Sequence, residues 1–323
     1  MNVLVIGGAG YIGSHVVKAL QKTKHKPIVY DNLSTGHLEA VDECVQFIEG
    51  DIRDFELLKH VFGNFEIDAA MHFAACSLVG ESMQDPAKYY NNNVAGSLSL
   101  LNAMKTAGVD KLIFSSTAAV YGEPDIIPIP ETAPTVPTNV YGRTKLAIEW
   151  SIQDYARAYG LQYIVLRYFN AAGASSDATI GESHPVETHL IPLMLKAIIK
   201  QKPLKVFGTD YPTDDGSCIR DYIHVEDLAQ AHVYALDHLI ATESSDIFNL
   251  GTSSGLSVLE IIQAAQQITG QEILCDIADR RPGDPARLVA DAQKAKDILG
   301  FIPQHSNLNN IIQTAWNWEK KAW

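Results

Sequence analysis

In the first half of the chain, short β-branched apolar runs alternate with longer stretches of helical periodicity. This alternation predicts βαβ units and a parallel sheet. Runs such as Val3–Ile6, apolar at every position, are typical of a sheet that helices cover on both faces. The predicted strands are Val3–Ile6, Pro27–Tyr30, Val45–Ile48, Ala69–His72, Lys111–Ser115 and Tyr163–Arg167. The predicted helices lie near residues 11–23, 54–62, 86–107 and 140–159.

After Asn170 the pattern changes. Polar stretches rich in Gly, Ser, Asp and Pro, at 173–188, 208–217 and 279–287, separate helical segments. Those helices are predicted near residues 190–201, 225–240, 256–269 and 306–318. The sequence therefore predicts a doubly wound α/β fold, with a Rossmann-type domain over residues 1–169. Residues 170–323 are predicted to form a smaller mixed α/β lobe, from which some segments return to the first domain.

Composition narrows the classes of partner. The 323 residues include 25 Lys and Arg against 38 Asp and Glu, a formal net charge of -13. A surface this acidic repels phosphate polyanions, which argues against nucleic acid or an anionic membrane as a partner. A phosphate-containing ligand would have to be held by local groups.

Cysteine usage suggests neither a disulfide framework nor a metal site. Cys44, Cys76, Cys218 and Cys275 form no Cys-x-x-Cys pair and have no histidine nearby at ligand spacing. We expect a reducing, cytoplasmic setting and no metal. No targeting segment or apolar stretch long enough for a membrane span is visible in the sequence.

The first predicted strand runs directly into a glycine-rich turn. Gly7-Gly8-Ala9-Gly10-Tyr11-Ile12-Gly13 precedes a helical pattern, and glycines there let the backbone turn sharply and approach a pyrophosphate. The next strand ends at Asp31, about where a carboxylate meets an adenosine ribose. A carboxylate accepts hydrogen bonds from a free 2′-hydroxyl and repels a 2′-phosphate, so the pattern favours NAD over NADP.

Two later strand ends fall at the same edge of the predicted sheet. Asp51 and Ile52 follow the third strand, and Phe73 and Ala74 follow the fourth. Ligands of doubly wound sheets bind at the carboxyl ends of the strands. We expect Asp51 to reach the adenine amino group and Phe73 and Ala74 to line the cofactor.

The candidate chemistry lies after the fifth strand. Thr117 follows that strand, and Tyr141 and Lys145 are four residues apart on a predicted helix, where they share one face. An ammonium beside a tyrosine lowers its pKa from the usual value of about 10 and makes the phenol a usable base. The hydroxyl of Thr117 can hold the same substrate oxygen. The three features in this order predict alcohol–ketone redox with a nicotinamide cofactor.

These residues resemble a known family, the extended short-chain dehydrogenases/reductases that act on nucleotide sugars, and among them the sugar 4-epimerases. The resemblance covers nearly the whole chain. It rests on Gly-Gly-Ala-Gly-Tyr-Ile-Gly-Ser-His at 7–15, Asp31-Asn32, Tyr89 to Val94, Val120-Tyr121-Gly122, Leu166-Arg167-Tyr168-Phe169-Asn170, Phe207-Gly208 to Gly216, and Arg220-Asp221-Tyr222-Ile223-His224-Val225.

By this resemblance, the chain is expected to interconvert UDP-glucose and UDP-galactose through a 4-keto intermediate, with tightly bound NAD, as a homodimer. The resemblance implies a catalytic set of Thr117, Tyr141 and Lys145. The implied cofactor residues are Gly7, Gly10, Tyr11, Ile12, Gly13, Asp31, Asn32, Asp51, Ile52, Phe73, Ala74, Asn93, Ser115, Tyr141, Lys145 and Tyr168. The implied UDP-sugar residues are Thr117, Tyr141, Asn170, Phe207, Arg220, Arg281 and Asp284.

Two positions depart from the family pattern. Ser77 stands where some epimerases have a lysine that contacts the cofactor, and Leu288 falls where others have an aromatic or small residue beside the sugar. Acceptance of N-acetylated sugars is therefore open.

The residues after Thr117 bear on other activities of the same family. Ala118-Ala119 stands where 4,6-dehydratases have an Asp-Glu pair and where UDP-glucuronate decarboxylases have a glutamate, which counts against both. A UDP-N-acetylglucosamine 4-epimerase and a keto-sugar reductase stay as alternatives. A non-catalytic NAD-sensing regulator is disfavoured, because Thr117, Tyr141 and Lys145 are all present.

Overall fold

The structure, a computed structural model, describes residues 1–281 and 285–321. Its strands are β1 (Asn2–Ile6), β2 (Lys26–Asp31), β3 (Gln46–Glu49), β4 (Ala69–His72), β5 (Lys111–Thr117), β6 (Gln162–Tyr168), β7 (Asn170–Ala172), β8 (Leu204–Phe207), β9 (Ile219–His224), β10 (Asp246–Leu250), β11 (Gly255–Ser257), β12 (Cys275–Ala278) and β13 (Arg287–Leu288). Its α-helices are α1 (Tyr11–Leu20), α2 (Phe55–Asn64), α3 (Val79–Gln84), α4 (Pro86–Tyr89), α5 (Gly96–Ala107), α6 (Val140–Tyr159), α7 (Leu190–Lys200), α8 (Val225–Thr242), α9 (Val258–Thr269), α10 (Gln293–Leu299) and α11 (Leu308–Lys321).

Within the described residues, seven parallel strands form the main sheet, in the order β10-β6-β5-β4-β1-β2-β3. One apolar core, on the side of α1 and α8, includes Val3, Val5 and Leu236. The core on the opposite face, on the side of α2, α5 and α6, includes Leu4, Ile6 and Phe114. Adjacent β1 residues therefore point into opposite cores, which explains why the run is apolar throughout. The predicted fold class is confirmed.

The strand order reverses at β1. From β1 the chain builds β2 and β3 on one side, and then crosses to build β4, β5 and β6 on the other. In doubly wound sheets the loops at such a reversal diverge and leave a crevice beyond the carboxyl ends of the strands. This topology places the turn after β1, the end of β4 and the end of β5 around one opening.

The second half of the chain builds a smaller lobe and also completes the main sheet. The lobe has its own core between α7, α9 and α11, which includes Met194, Ile261 and Ile311. Two short sheets flank it, one formed by β7, β9, β11 and β13 and one by β8 and β12.

From this lobe the chain returns to the first half. Helix α8 packs on α1, and β10 pairs in parallel with β6 from Asp246 to Leu250. The predicted boundary between residues 169 and 170 stays a prediction. In the part of the chain that the structure describes, no helix is long and apolar enough to cross a membrane.

Candidate functional site

Two adjoining cavities lie beyond the carboxyl ends of the main-sheet strands. The smaller has a volume of about 290 Å³ and the larger about 490 Å³. Both are lined by Gly7, Gly10 and Phe73, so the two volumes meet at the glycine turn after β1. Their position is where the topology predicts a ligand crevice.

The glycine turn is shaped for a close backbone approach. Gly7 has a φ of +82°, and a Cβ there would lie 2.5 Å from the backbone nitrogen of Ala74. A Cβ on Gly13 would lie 2.1 Å from the carbonyl oxygen of Gly7, so this glycine lets α1 pack tightly on the turn. Helix α1 begins at Tyr11 with no side-chain cap, which leaves its first amides to face an anion. Tyr11, Ile12 and Gly13 line the larger cavity, and the turn fits a pyrophosphate.

Asp31 and Asn32 line the smaller cavity, at the end of β2. The carboxylate of Asp31 already accepts hydrogen bonds from the amides of Ala9 and Leu33, each at 2.9 Å. Burial raises the pKa of this carboxyl, although the amide bonds oppose the rise. Asp31 thus fastens the glycine turn to β2, and its remaining lone pairs can still accept ribose hydroxyls.

Of the residues predicted at the ends of the third and fourth strands, three line the smaller cavity and one lies beside it. Ile52, Phe73 and Ala74 line the smaller cavity. Asp51 stands beside it and is paired with Arg53, which donates bonds of 2.8 and 2.7 Å and holds the pKa of the carboxyl well below its usual range. Asp51 is not among the residues that line this cavity, so its expected contact with the adenine amino group stays a prediction.

Asn93 lies in a π-helical turn, Tyr90–Ala95, that joins α4 to α5. Its buried amide binds both backbone groups of Cys76, at 2.8 and 3.0 Å, and donates to the hydroxyl of Thr144 at 3.0 Å. π-turns are frequent at functional sites, because the extra residue redirects a side chain. Here that side chain fixes the loop after β4 to α6, and it is not among the residues that line either cavity.

Thr117, Tyr141 and Lys145 come together in the larger cavity. Thr117 ends β5, whereas Tyr141 and Lys145 lie in the first two turns of α6 and face the end of that strand. The side chain of Asn139 caps α6 by accepting from the amide of Gly142 at 2.8 Å. Strand and cap together fix the spacing that the sequence pattern predicted.

The electrostatics of this group differ from the expected ones. Burial raises the pKa of Tyr141 well above its usual value, although a hydrogen bond with Thr117 opposes the rise. Burial lowers the pKa of Lys145 to about 7. Its ammonium donates to the carbonyl oxygen of Ser115 at 2.8 Å. The expected lowering of the tyrosine pKa is therefore wrong for the protein alone, because desolvation of the phenol outweighs the hydrogen bond with Thr117.

Ser115 and Tyr168 form a second layer behind this group. Their hydroxyls are hydrogen-bonded at 2.9 Å, and Tyr168 lines the larger cavity. Ser115 is buried and acts through its carbonyl on Lys145 and through its hydroxyl on Tyr168. It positions both groups.

One helical turn beyond Lys145, Glu149 is fully buried and paired with Arg167 of β6. The guanidinium donates bonds of 3.1 and 2.6 Å to the carboxylate, and Ser116 donates a third at 2.5 Å. Arg167 also donates to the phenol oxygen of Tyr121 at 3.0 Å. The Glu149 carboxylate is thus occupied by partners other than Lys145.

The second lobe contributes the opposite wall of the larger cavity. Asn170, Arg220 and Arg281 line it. Phe207 lies behind Arg281, whose guanidinium carbon is 4.0 Å from the centre of the phenyl ring. Asp284, predicted to bind the substrate, lies outside the described residues.

Sequence reasoning missed part of this wall. Glu182, His184 and His189, from the loop before α7, also line the larger cavity. With Glu187 they follow the spacing Glu-x-His-x-x-Glu-x-His, a signal that could have been found in the polar stretch at 173–188. Burial raises the pKa of Tyr11 well above its usual value, and the charges of Glu182 and Glu187 raise it further.

Ser77 and Leu288, the two departures from the family pattern, both line the larger cavity. Ser77 also lines the smaller one. Leu288 is half-buried and extends from β13. Both positions therefore face the crevice, as the resemblance implied.

Comparisons with known proteins agree with this geometry. Residues 3–251 match the model of the NAD dependent epimerase/dehydratase family. A UDP-glucose 4-epimerase of Lacticaseibacillus casei is 51% identical over 321 residues, which are 99% of this chain and 97% of that protein.

Two solved structures are similar over nearly their whole length. A UDP-glucose 4-epimerase from Brucella ovis in complex with NAD is 50% identical with a TM-score of 0.95, and the match covers 98% of this chain and 97% of that one. The enzyme from Bifidobacterium longum in complex with NAD+ and UDP is 38% identical with a TM-score of 0.93, covering 99% and 98%. The chain belongs to the NAD dependent epimerase/dehydratase family.

Proposed function

We propose that this chain is a UDP-glucose 4-epimerase, which interconverts UDP-glucose and UDP-galactose through a 4-keto intermediate with bound NAD. The observation that carries the proposal is the meeting of Thr117, Tyr141 and Lys145 in the larger cavity, continuous with the glycine turn. Relatives about half identical over the full chain have this activity in their names.

The residues around the smaller cavity fit the adenosine half of NAD. The turn at Gly7, Gly10 and Gly13 and the free first amides of α1 would hold the pyrophosphate. Asp31 and Asn32 would accept and donate bonds at the adenosine ribose. The redox chemistry at carbon 4 of the sugar, oxidation followed by reduction, is what bound NAD supplies.

Tyr141 is the proposed acid–base. Its phenol oxygen takes the proton of the 4-hydroxyl as the ketone forms, and returns it to the opposite epimer as the alcohol forms again. Thr117, hydrogen-bonded to that phenol, holds the same substrate oxygen. Lys145, fixed by the carbonyl of Ser115 and one helical turn from Tyr141, is proposed to favour the phenolate when its own side chain is protonated.

Epimerisation also requires the keto sugar to turn over before reduction. The UDP end must then be held firmly, while the sugar makes few strong contacts, so that binding energy comes from the part that does not react. Asn170, Arg220 and Arg281 are the proposed diphosphate and uridine contacts, and the forked guanidinium groups suit phosphate oxygens. Phe207, behind Arg281, supports that side of the wall.

The direct test is to incubate the purified protein with UDP-galactose and separate the sugars. We expect UDP-glucose to accumulate without net consumption of added NAD(P)H. Oxidation of NAD(P)H in proportion to product would instead indicate the keto-sugar reductase. In heavy water, mass spectrometry should find no deuterium at carbon 4, because that hydrogen leaves and returns without meeting solvent. Deuterium at carbon 4 would contradict the redox mechanism even if the sugars interconvert.

A cytoplasmic location and a homodimeric state are part of the proposal. The first is supported by the cysteines, all four of which are free thiols in the described chain. The second is supported by large apolar side chains on the outer face of α6, where Trp150 and Tyr159 are exposed. Light scattering on a size-exclusion column should give twice the mass of the chain, and a monomer mass would contradict the dimer.

A further inference from the structure

Four metal-ligating side chains meet in the loop before α7. Glu182, His184, Glu187 and His189 each offer one nitrogen or oxygen, and these four atoms all lie within 4.8 Å of one another. They come from a stretch of eight residues, so the loop itself sets their arrangement. None of them is used in the proposed proton transfer.

The separations between these atoms are those of a small coordination shell. Nδ1 of His184 lies 3.3 Å from Oε1 of Glu182 and 3.6 Å from Oε2 of Glu187. Nδ1 of His189 is in direct contact with Oε1 of Glu182, and it lies 3.9 Å from Oε1, the second oxygen of Glu187. Ligands at 2.0–2.2 Å from a tetrahedral zinc ion are about 3.3–3.6 Å apart. Small shifts would bring all four atoms onto one ion.

Glu187 is held with one oxygen free. Its Oε1 accepts from the amides of Thr188 and His189, at 2.8 and 2.9 Å, which fixes the carboxylate. The Glu187 side chain is only 6% exposed, and its Oε2 is buried without a hydrogen-bond partner. Nδ1 of His184 is 3.6 Å and the ammonium of Lys196 is 3.9 Å from this oxygen, which are ion-pair distances but too long for a hydrogen bond. A buried carboxylate oxygen without a donor is costly unless a cation completes it.

We propose that Glu182, His184, Glu187 and His189 bind one divalent transition-metal ion, and that zinc is the best match. Two imidazole nitrogens and two carboxylate oxygens suit zinc in both ligand type and number. Three of the four residues line the larger cavity, and the two carboxylates lie close enough to affect Tyr11. On the proposed function, which this step assumes, the ion would offset those carboxylates beside the diphosphate.

The test uses the full chain without a histidine tag. The protein is stripped with a chelator, dialysed, and titrated with zinc chloride alone in a calorimeter, with elemental analysis of the product. We expect one zinc per chain in the unmodified protein. We expect at least a hundredfold loss of affinity in the double variant His184→Asn with Glu187→Gln. Zinc binding no tighter in the unmodified protein than in that variant would overturn the proposal and leave the cluster as an imidazole–carboxylate network.

A matched double variant controls for the loss of one histidine and one glutamate. His60→Asn with Glu56→Gln changes exposed positions of α2 and should leave zinc binding unchanged. If the first double variant does not fold, His189→Asn alone changes a half-exposed ligand and should weaken binding at least tenfold. Unchanged zinc affinity in a folded His189→Asn would contradict its place in the shell.

Cobalt provides a second readout. A four-coordinate Co²⁺ site absorbs visible light strongly, and that absorption should appear in the unmodified chain and be absent from His184→Asn with Glu187→Gln. Neither measurement uses nucleotide or sugar. A protein that epimerises but fails to bind zinc would refute the metal site alone, and one that binds zinc without epimerising would refute the proposed function alone.

Discussion

Two buried polar groups lie one turn apart on α6, and they are satisfied to different degrees. Glu149 accepts two bonds from Arg167 and a third from Ser116. Lys145 is also fully buried, yet its ammonium donates to a neutral carbonyl, that of Ser115. The first group is a charge paired with a charge. The second is a charge held beside a cavity without a carboxylate of its own.

The difference lies in which partners the neighbouring residues already have. Glu149 is at i+4 from Lys145 and raises its pKa, but that carboxylate is bound to Arg167, and burial lowers the pKa of Lys145 to about 7. A lysine in this condition gains or loses a proton near neutral pH, which suits a catalytic site. A salt bridge to Lys145 would have made the helix more stable and the lysine inert.

The largest expected effect is on turnover. Tyr141→Phe removes only the phenol oxygen, so epimerisation should fall by about 10²–10⁴-fold or more while the fold and NAD retention are kept. The measurement is the initial rate with UDP-galactose, beside a thermal unfolding curve. Tyr234→Phe, at an exposed position of α8, is the control and should keep full activity. A Tyr141→Phe enzyme with a tenth of the normal rate would remove Tyr141 as the base.

At Glu149, the group with charged partners, the expected effect is on stability. Glu149→Gln leaves Arg167 buried without its counter-charge, and should lower the free energy of unfolding by about 3–5 kcal/mol. Denaturant unfolding measures this, with Asp154→Asn, an exposed position of α6, as the control. A loss below about 1 kcal/mol would show that Glu149 and Lys145 do not differ as described.

Lys145→Met should instead raise the free energy of unfolding, by an amount that depends on pH. The folded pKa of Lys145, about 7, is below the unfolded value of 10.5, so the folded protein is destabilised when this lysine is charged. The loss of stability is complete below about pH 7, and it disappears as the pH rises toward 10.5. Methionine removes this dependence. We expect the variant to gain at least about 1 kcal/mol relative to wild type between pH 10 and pH 7, since one pKa unit corresponds to about 1.4 kcal/mol.

Parallel pH-dependent unfolding curves for Lys145→Met and the wild type would contradict the lowered pKa. Lys105→Met, at an exposed position of α5, should give such parallel curves and serves as the control. The rate of epimerisation should also fall in Lys145→Met, because the phenolate of Tyr141 loses its nearby cation.

Arg281→Ala has the most local expected effect, on ligand binding alone, and marks the far wall of the cavity, where the side chain is exposed. It should weaken binding of UDP and of UDP-glucose together, by about 1.5–3 kcal/mol for a charge-assisted contact. Calorimetric titration with both ligands measures this, and exposed Arg157→Ala is the control. Weaker binding of UDP-glucose with unchanged binding of UDP would place Arg281 at the sugar instead.

The elements with regular patterns could be predicted from the sequence. Strands β1 to β6 and the main helices between them were located to within a few residues, because most of these strands contain apolar runs and the helices are amphipathic. Strand β10 was missed. It is a short run, Asp246–Leu250, and nothing local indicates that its partner is β6. Pairing over such a distance in sequence depends on the assembled core.

The features of the site likewise fall into those that local spacing predicts and those that depend on the assembled fold. Thr117, Tyr141 and Lys145 have a spacing that local geometry explains, so they could be placed before the structure. The hydrogen bonds from the amides of Ala9 and Leu33 to Asp31, and the raised pKa of Tyr141, depend on the folded structure around them and could not be predicted from the sequence. Glu182, His184 and His189 lie in a loop without periodicity, where only the spacing of residue types offered a signal.

The return of α8 and β10 to the main sheet bears on how the chain could be divided. A polypeptide ending at residue 169 would expose the side of α1 that α8 covers and leave β6 with an unpaired edge. Two separately expressed pieces, split in the polar stretch at 173–188, would each lack apolar surface that the other supplies. They should therefore reassociate when mixed, and that stretch offers a natural place for a split-protein reporter.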